Sequence, residues 1–111
     1  MGTLDRAATM VADLTAQGVQ AVTDPAAAVP PCVLVPPPVR RYDIGCGYTI
    51  VWTLWALAPG AGDAETWAAL DDLVDQVADL LPIDQARPAR YQVSPDAQAV
   101  PAYAITYEEA S

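Results

Sequence analysis

Residues 48–58 constrain the fold more than any other part of the sequence, because they alternate between two faces that are both apolar. One face carries Tyr48, Ile50, Trp52, Leu54 and Ala56, and the other carries Thr49, Val51, Thr53, Trp55 and Leu57. The alternation predicts a β-strand, and apolar side chains on both sides predict a central strand that is covered on each face. One face can pack on helices. The other then requires a second sheet or a neighbouring subunit.

Two amphipathic helices are predicted, one on each side of this strand in the sequence. The first covers residues 4–17, where Thr3 can cap the start and Gly18 is a natural end. Asp63 is predicted to cap the second helix, which ends at Pro82. Its inward stripe is predicted to consist of Trp67, Leu70, Val74, Val77 and Leu81, widened by Leu73 and Ala78.

The other strands are predicted to be short, covering residues 19–22, 32–35, 90–93 and 102–107. Tyr103, Ile105 and Tyr107 share one face of the last strand, which forms an antiparallel hairpin with the strand before it. Residues 36–47 and 84–88, rich in Pro, Gly and polar residues, are predicted as loops. The order α-β-β-β-α-β-β predicts a single α+β domain over residues 1–111, with a mostly antiparallel sheet packed by two helices.

The composition argues against catalysis and against binding to nucleic acid. A net charge of −9, with five Arg and neither Lys nor His, repels a phosphate backbone and an anionic lipid surface. The lack of His and Lys removes the usual imidazole base and Schiff-base chemistry, and no phosphate-binding or nucleophile-elbow motif is present. We therefore expect a protein that is not an enzyme and that uses no cofactor or metal.

The two cysteines, Cys32 and Cys46, are too few to close a structural zinc site. We expect both to be reduced, half-buried strand residues. A disulfide between them would require an oxidising compartment, and the N-terminal residues lack the apolar segment of a signal peptide. The sequence thus predicts a soluble protein that is intracellular when it is made.

Three carboxylates one helical turn apart, Asp72, Asp75 and Asp79, lie on the outer face of the second helix. They fit three interpretations: a solvated face, a negative surface turned toward a partner or a lumen, or a site for a hard cation. Like charges at this spacing destabilise a helix by a few tenths of a kcal/mol per pair, and no basic residue on the helix offsets that cost. The partner interpretation therefore stays open.

Arg40 and Arg41 are the basic counterpart of this acidic face. They are either solvated or donate hydrogen bonds to the carboxylates of the next copy in a ring. A head-to-tail contact of that kind is heterologous, and heterologous contacts can close into rings. Trp52, Trp55 and Trp67 are expected in the core, and whichever is exposed is a candidate interface anchor.

The order of these segments resembles the tail terminator proteins of long-tailed phages, especially those of actinobacterial hosts. The resemblance rests on the first helix ending in Gly, the proline-flanked segment PPCVLVP (residues 30–36), the long apolar strand YTIVWTLWAL (48–57), the second helix, and the final strand PAYAITY (101–107). It covers nearly the whole chain without a sharp fingerprint, and no site residue is transferred from the family.

The resemblance implies a structural virion protein with an α/β sandwich fold. Such proteins form hexameric rings at the head-proximal end of the tail tube, stop its polymerisation and join it to the head connector. Expected partners are further copies of the chain, the major tail tube subunit and the connector proteins, with DNA passing through an acidic lumen without sticking. Assembly would take place in the host cytoplasm. Two alternatives stay open: another connector or stopper of the phage neck, and a small cellular binding module that forms a closed dimer.

Overall fold

The structure, a computed structural model, describes residues 3–42, 45, 47–59, 63–92, 95, 96 and 98–110. Within them the chain forms the helices α1 (Thr3–Ala16) and α2 (Ala64–Leu80), a 3₁₀ turn (Pro25–Ala27), and the strands β1 (Ala21–Val22), β2 (Cys32–Leu34), β3 (Val39–Tyr42), β4 (Tyr48–Leu57), β5 (Gln85–Tyr91) and β6 (Val100–Ala110). The predicted α+β class is confirmed. The order differs by one strand, β3, which the sequence did not predict.

The strands form one sheet in the order β1-β2-β4-β6-β5, with β3 also paired to β4. All pairs are antiparallel except β1 with β2. β2 and β3 follow one another along one edge of β4, and β6 lies along the other edge. The predicted central position of β4 is therefore confirmed, as is the hairpin of β5 and β6.

Both helices pack on the same side of the sheet, called here the helix face. Its core consists of Val33, Trp52, Leu54, Ala56, Ile105 and Tyr107 from the strands, with Met10 and Leu14 from α1 and Leu70 and Val77 from α2. Each fully buried aliphatic side chain contributes about 1.5–3 kcal/mol. The shared face predicted for Tyr103, Ile105 and Tyr107 is confirmed by their packing into this core.

The start of α2 is fixed by Asp63, as the sequence predicted. Its carboxylate accepts hydrogen bonds from the backbone N–H of Thr66 at 2.9 Å and from the Thr66 hydroxyl, also at 2.9 Å. These bonds satisfy donors that the first helical turn would otherwise leave free. Because its hydroxyl is satisfied, Thr66 can be buried at 3% exposure.

Most of the inward stripe predicted for α2 is confirmed, and the buried Thr66 adds to it. Buried residues within the helix are Thr66, Leu70, Leu73 and Val77. Trp67 and Val74 are half-buried at the margin, and Ala78 is exposed, so its predicted place in the stripe is wrong. Leu81 is buried just after the helix, where its backbone N–H bonds to the carbonyl of Val77.

Replacing Asp63 by Ala tests this cap. We expect the melting temperature to fall by about 5 °C, with Asp63→Ser close to wild type because a serine hydroxyl can also cap. The bonds from Thr66 lower the pKa of Asp63. The contribution of the cap is thus present above the unfolded-state pKa and is lost as pH falls through the lower folded-state pKa. Thermal melts at neutral and acidic pH measure both effects; an unchanged melting temperature at neutral pH would contradict them.

Two segments predicted as loops are strands at the edges of the sheet. β3 falls within residues 36–47, and β5 begins at Gln85 instead of residue 90. All four side chains of β3 are exposed, so no alternation of apolar residues marks it. In β5, Pro88 is compatible with an edge strand, because proline has no N–H to donate and is tolerated at the edge of a sheet. Val93, in the predicted last part of that strand, lies outside the described residues.

Cys32 is a free thiol that is fully buried, not half-buried as expected. Burial raises the pKa of this thiol. Cys46 lies outside the described residues. No helix in the described part of the chain is long and apolar enough to cross a membrane.

Candidate functional site

Four of the five arginines lie on two edge strands of the sheet. Arg40 and Arg41 are on β3 and Arg87 and Arg90 are on β5, whereas Arg6 is in α1. In the described residues β3 pairs only with β4, and β5 only with β6. Charged residues and proline on an edge strand discourage pairing with a further strand. Both edges therefore resist the addition of a further strand.

Arg40 belongs to an exposed cluster with two tyrosines, called here the Arg40 cluster (Arg40, Tyr42 and Tyr48). Its guanidinium lies over the ring of Tyr48, 5.3 Å from the centroid. The rings of Tyr42 and Tyr48, opposite each other in β3 and β4, are 5.4 Å apart, and Tyr42 is 68% exposed. A hydrogen bond to Tyr42 and the proximity of both hydroxyls raise the pKa of Arg40, so it stays charged.

Arg41 projects to the opposite side of β3, because successive strand residues alternate between faces. Its Nη1 donates to Oε1 of Glu108 on β6 at 2.9 Å, and both side chains are about half exposed. The charge of Arg41 is therefore offset within the chain, although an exposed pair of this kind adds at most about 1 kcal/mol of stability. The two arginines, equivalent in the sequence, have different environments in the structure.

The outer surface of α2 is acidic and is called here the acidic face. It carries Glu65, Asp71, Asp72, Asp75 and Asp79, all exposed. The helix contains no basic residue, and the ion pairs among the described residues, Arg6–Glu109 and Arg41–Glu108, do not involve it. In the same part of the chain no group of three or more potential metal ligands is placed to hold an ion.

The predicted interface residues do not meet within one chain. Arg40 and Arg41 lie on β3, along the edge of β4 that faces away from β6. α2 packs over β6 and β4, where Trp67 contacts the ring of Tyr103 edge-on at 5.9 Å. Among the described residues no ion pair joins either arginine to Asp72, Asp75 or Asp79. A contact between these groups would therefore require two copies.

The described residues cover the side of the sheet opposite the helices, called here the open face, only at one end. There Cys32, Leu57 and Ala102 are buried, with Trp55 and Tyr91 half-buried beside them at a ring distance of 5.1 Å. Toward the start of β4 and along β6, the half-buried residues of the open face are Thr49, Val51, Thr53, Ala104 and Thr106. The described residues supply no second sheet for this face. Of the three tryptophans, Trp52 is fully buried, as expected, and Trp55 is the half-exposed one on this face.

A polar network that the sequence did not predict joins α1 to β6. Arg6 Nε lies 3.3 Å from both carboxylate oxygens of Glu109, and the Tyr107 hydroxyl lies 3.1 Å from Glu109 Oε1 and from the sulfur of Met10. Burial, and then the nearby Glu109 charge, raise the pKa of Tyr107 well above its usual value. Tyr107 stays neutral, and the network holds the helix on the sheet.

Comparison with protein-family models, curated proteins and solved structures finds no match to this chain. The structure itself presents three surfaces: an exposed arginine–tyrosine cluster, an acidic helix that contains no basic residue, and a sheet face that is only partly covered by the described residues. The first two surfaces are charged, and the third is largely apolar.

Proposed function

We propose that this protein is a tail terminator of a long-tailed phage. In this role it forms a ring on the head-proximal end of the tail tube, stops the growth of the tube and joins it to the head connector. The observation that supports the proposal most is the separation of opposite charges onto different parts of one chain. The Arg40 cluster lies at one edge of the sheet, and the acidic face lies on the helix that packs over β6 and β4.

Separated, complementary surfaces favour a head-to-tail contact between copies. Such a contact uses a different surface patch on each partner, so it can repeat from copy to copy. The copies form a closed ring when the rotation between neighbouring subunits permits it. Extension of the sheet from copy to copy is disfavoured because Arg40, Arg41, Arg87 and Arg90 would bring like charges together at the two edges. The contact expected from these features is made by side chains.

The net charge of −9 also suits a ring around DNA. A lumen of negative potential neither binds a phosphate backbone nor slows its passage. The open face supplies a further apolar area for the tail tube or the connector, with Trp55 as its large aromatic residue.

The test is to polymerise the tail tube subunit of the same genome with and without this protein and to view the tubes by negative-stain microscopy. We expect shorter tubes that carry an extra ring at one end, and no change in length when the protein is added after growth is complete. Tubes that grow on uncapped would contradict the proposal. Binding to the portal side would then indicate another neck protein.

A second candidate is a small cellular binding module, favoured by the open face alone. Two copies could bury Trp55 and Val51 by packing their open faces together, and such an isologous contact gives a closed dimer. Native mass spectrometry separates the two candidates, since the binding module is expected as a dimer and the terminator as a hexamer.

A further inference from the structure

We infer that the Arg40 cluster is the anchor of the contact between copies, and that its ligand is the acidic face of α2 in a second copy of this chain. The inference rests on the proposed ring and assigns its contact to particular groups. It also gives the two adjacent arginines different roles: Arg40 binds the neighbour, and Arg41 pairs with Glu108 inside its own chain.

The Arg40 side chain is preorganised for binding. The guanidinium is already positioned over the ring of Tyr48, so less side-chain entropy is lost on binding than for a freely rotating arginine. A guanidinium carries five N–H donors, more than the hydrogen bond to Tyr42 uses, and a carboxylate can bind two of them in a bidentate manner. Tyr42, at 68% exposure, adds a large aromatic surface beside it. Arginine and tyrosine are among the residue types that contribute most to binding energy at interfaces.

The acidic face is the complementary surface that the chain itself provides. Asp72, Asp75 and Asp79 lie on one side of α2 over a span of about 10 Å, since each residue of a helix adds about 1.5 Å. Their mutual repulsion is not relieved by any ion pair among the described residues. A guanidinium from outside would relieve it, and Asp75, in the middle of the three, is the best-placed acceptor.

Among the described residues, Arg41 forms an ion pair and Arg40 does not. Within the described residues no carboxylate lies within ion-pair distance of Arg40, whereas Arg41 is 2.9 Å from Glu108. The two side chains also leave β3 on opposite faces, so one neighbouring helix cannot engage both equally. Arg40, with Tyr42 and Tyr48, lies on the same side of the sheet as the helices.

The experiment is a charge exchange, read by analytical ultracentrifugation of the full chain. We expect Arg40→Glu and Asp75→Arg each to remain monomeric at concentrations where wild type forms rings, with unchanged circular dichroism. Mixing the two variants is expected to restore rings of alternating copies, because each contact then joins opposite charges. The double variant Arg40→Glu/Asp75→Arg is expected to assemble alone. As a matched control, Arg87→Glu removes an exposed arginine from the other edge strand and is expected to leave assembly unchanged.

Each contrary outcome has a separate meaning. Rings of Arg40→Glu equal to wild type, or a mixture that stays monomeric, would overturn the inference while tube capping by wild type still supported the terminator function. Loss of rings in Arg87→Glu as well would show that total charge governs assembly, which also overturns it. A wild-type chain that neither forms rings nor caps tubes would instead contradict the proposed function.

Discussion

A Trp52→Ala variant is expected to lose about 3–5 kcal/mol of unfolding free energy, a large part of the 5–15 kcal/mol typical of a domain. Trp52 is the largest fully buried side chain and lies at the middle of β4. Its ring stacks on that of Tyr107 across the sheet, 6.4 Å apart and 13° from parallel. Truncation would leave a cavity between the sheet and both helices. Urea unfolding followed by circular dichroism measures the loss.

Trp55→Ala is the matched control, because it makes the same change on the same strand but on the open face. We expect it to cost about 1–2 kcal/mol in the monomer, since Trp55 is only half-buried and its main aromatic contact is Tyr91. Equal losses for the two variants would show that the open face is as buried in solution as the helix face. In that case a second copy of the chain would have to cover it in solution.

Trp52→Phe separates the size of this side chain from its polarity. The indole Nε1 of Trp52 is buried with no hydrogen-bond partner among the described residues, which is unfavourable by about 1–3 kcal/mol. Phenylalanine removes that donor while keeping an aromatic ring against Tyr107. We therefore expect Trp52→Phe to be far less destabilising than Trp52→Ala in the same urea experiment.

The elements predicted well are those whose cause lies in their own residues. β4 alternates apolar side chains over its whole length, and its burial on the helix face follows from that pattern. α2 begins at an aspartate that caps it and ends before a proline. In both cases the local chemistry and the tertiary packing favour the same structure.

The elements missed are those that depend on a neighbour. β3 has four exposed side chains, and its conformation follows from backbone pairing with residues 48–51 of β4. β5 contains Pro88, which would argue against a central strand but is tolerated at an edge. The burial of Thr66 in α2 was also missed, because it depends on the hydrogen bond between its hydroxyl and Asp63, which is a property of the cap.

The candidate site was also predicted only in part, because some of its features depend on neighbouring strands. The opposite charges of Arg40 and of Asp75 are visible in the sequence, and so is their separation along the chain. The alternation that directs Arg40 toward Tyr48 and Arg41 toward Glu108 requires that β3 be a strand, and it was predicted as a loop. The role of Tyr42 likewise depends on its register opposite Tyr48.

Changing Asp72, Asp75 and Asp79 together to Asn is expected to abolish ring formation while leaving the fold as stable as wild type or slightly more stable. Each like-charge pair at i,i+3 or i,i+4 that is removed favours the helix by a few tenths of a kcal/mol. The change also deprives the Arg40 cluster of its ligand. Thermal melts report the first effect and analytical ultracentrifugation the second. This combination of unimpaired stability and lost assembly is what distinguishes a surface kept for a partner from one kept for the fold.

The control for this variant removes three exposed carboxylates elsewhere, by changing Asp13, Asp84 and Asp96 to Asn. Both triple variants have the same net charge, so a difference in assembly between them must come from the position of the charges. Rings that persist without the acidic face would contradict its role as the ligand of Arg40. A large loss of stability on removing it would show that these carboxylates hold the fold instead. We expect rings to be lost, as the proposed contact requires. We also expect no large loss of stability, since α2 makes no ion pair among the described residues.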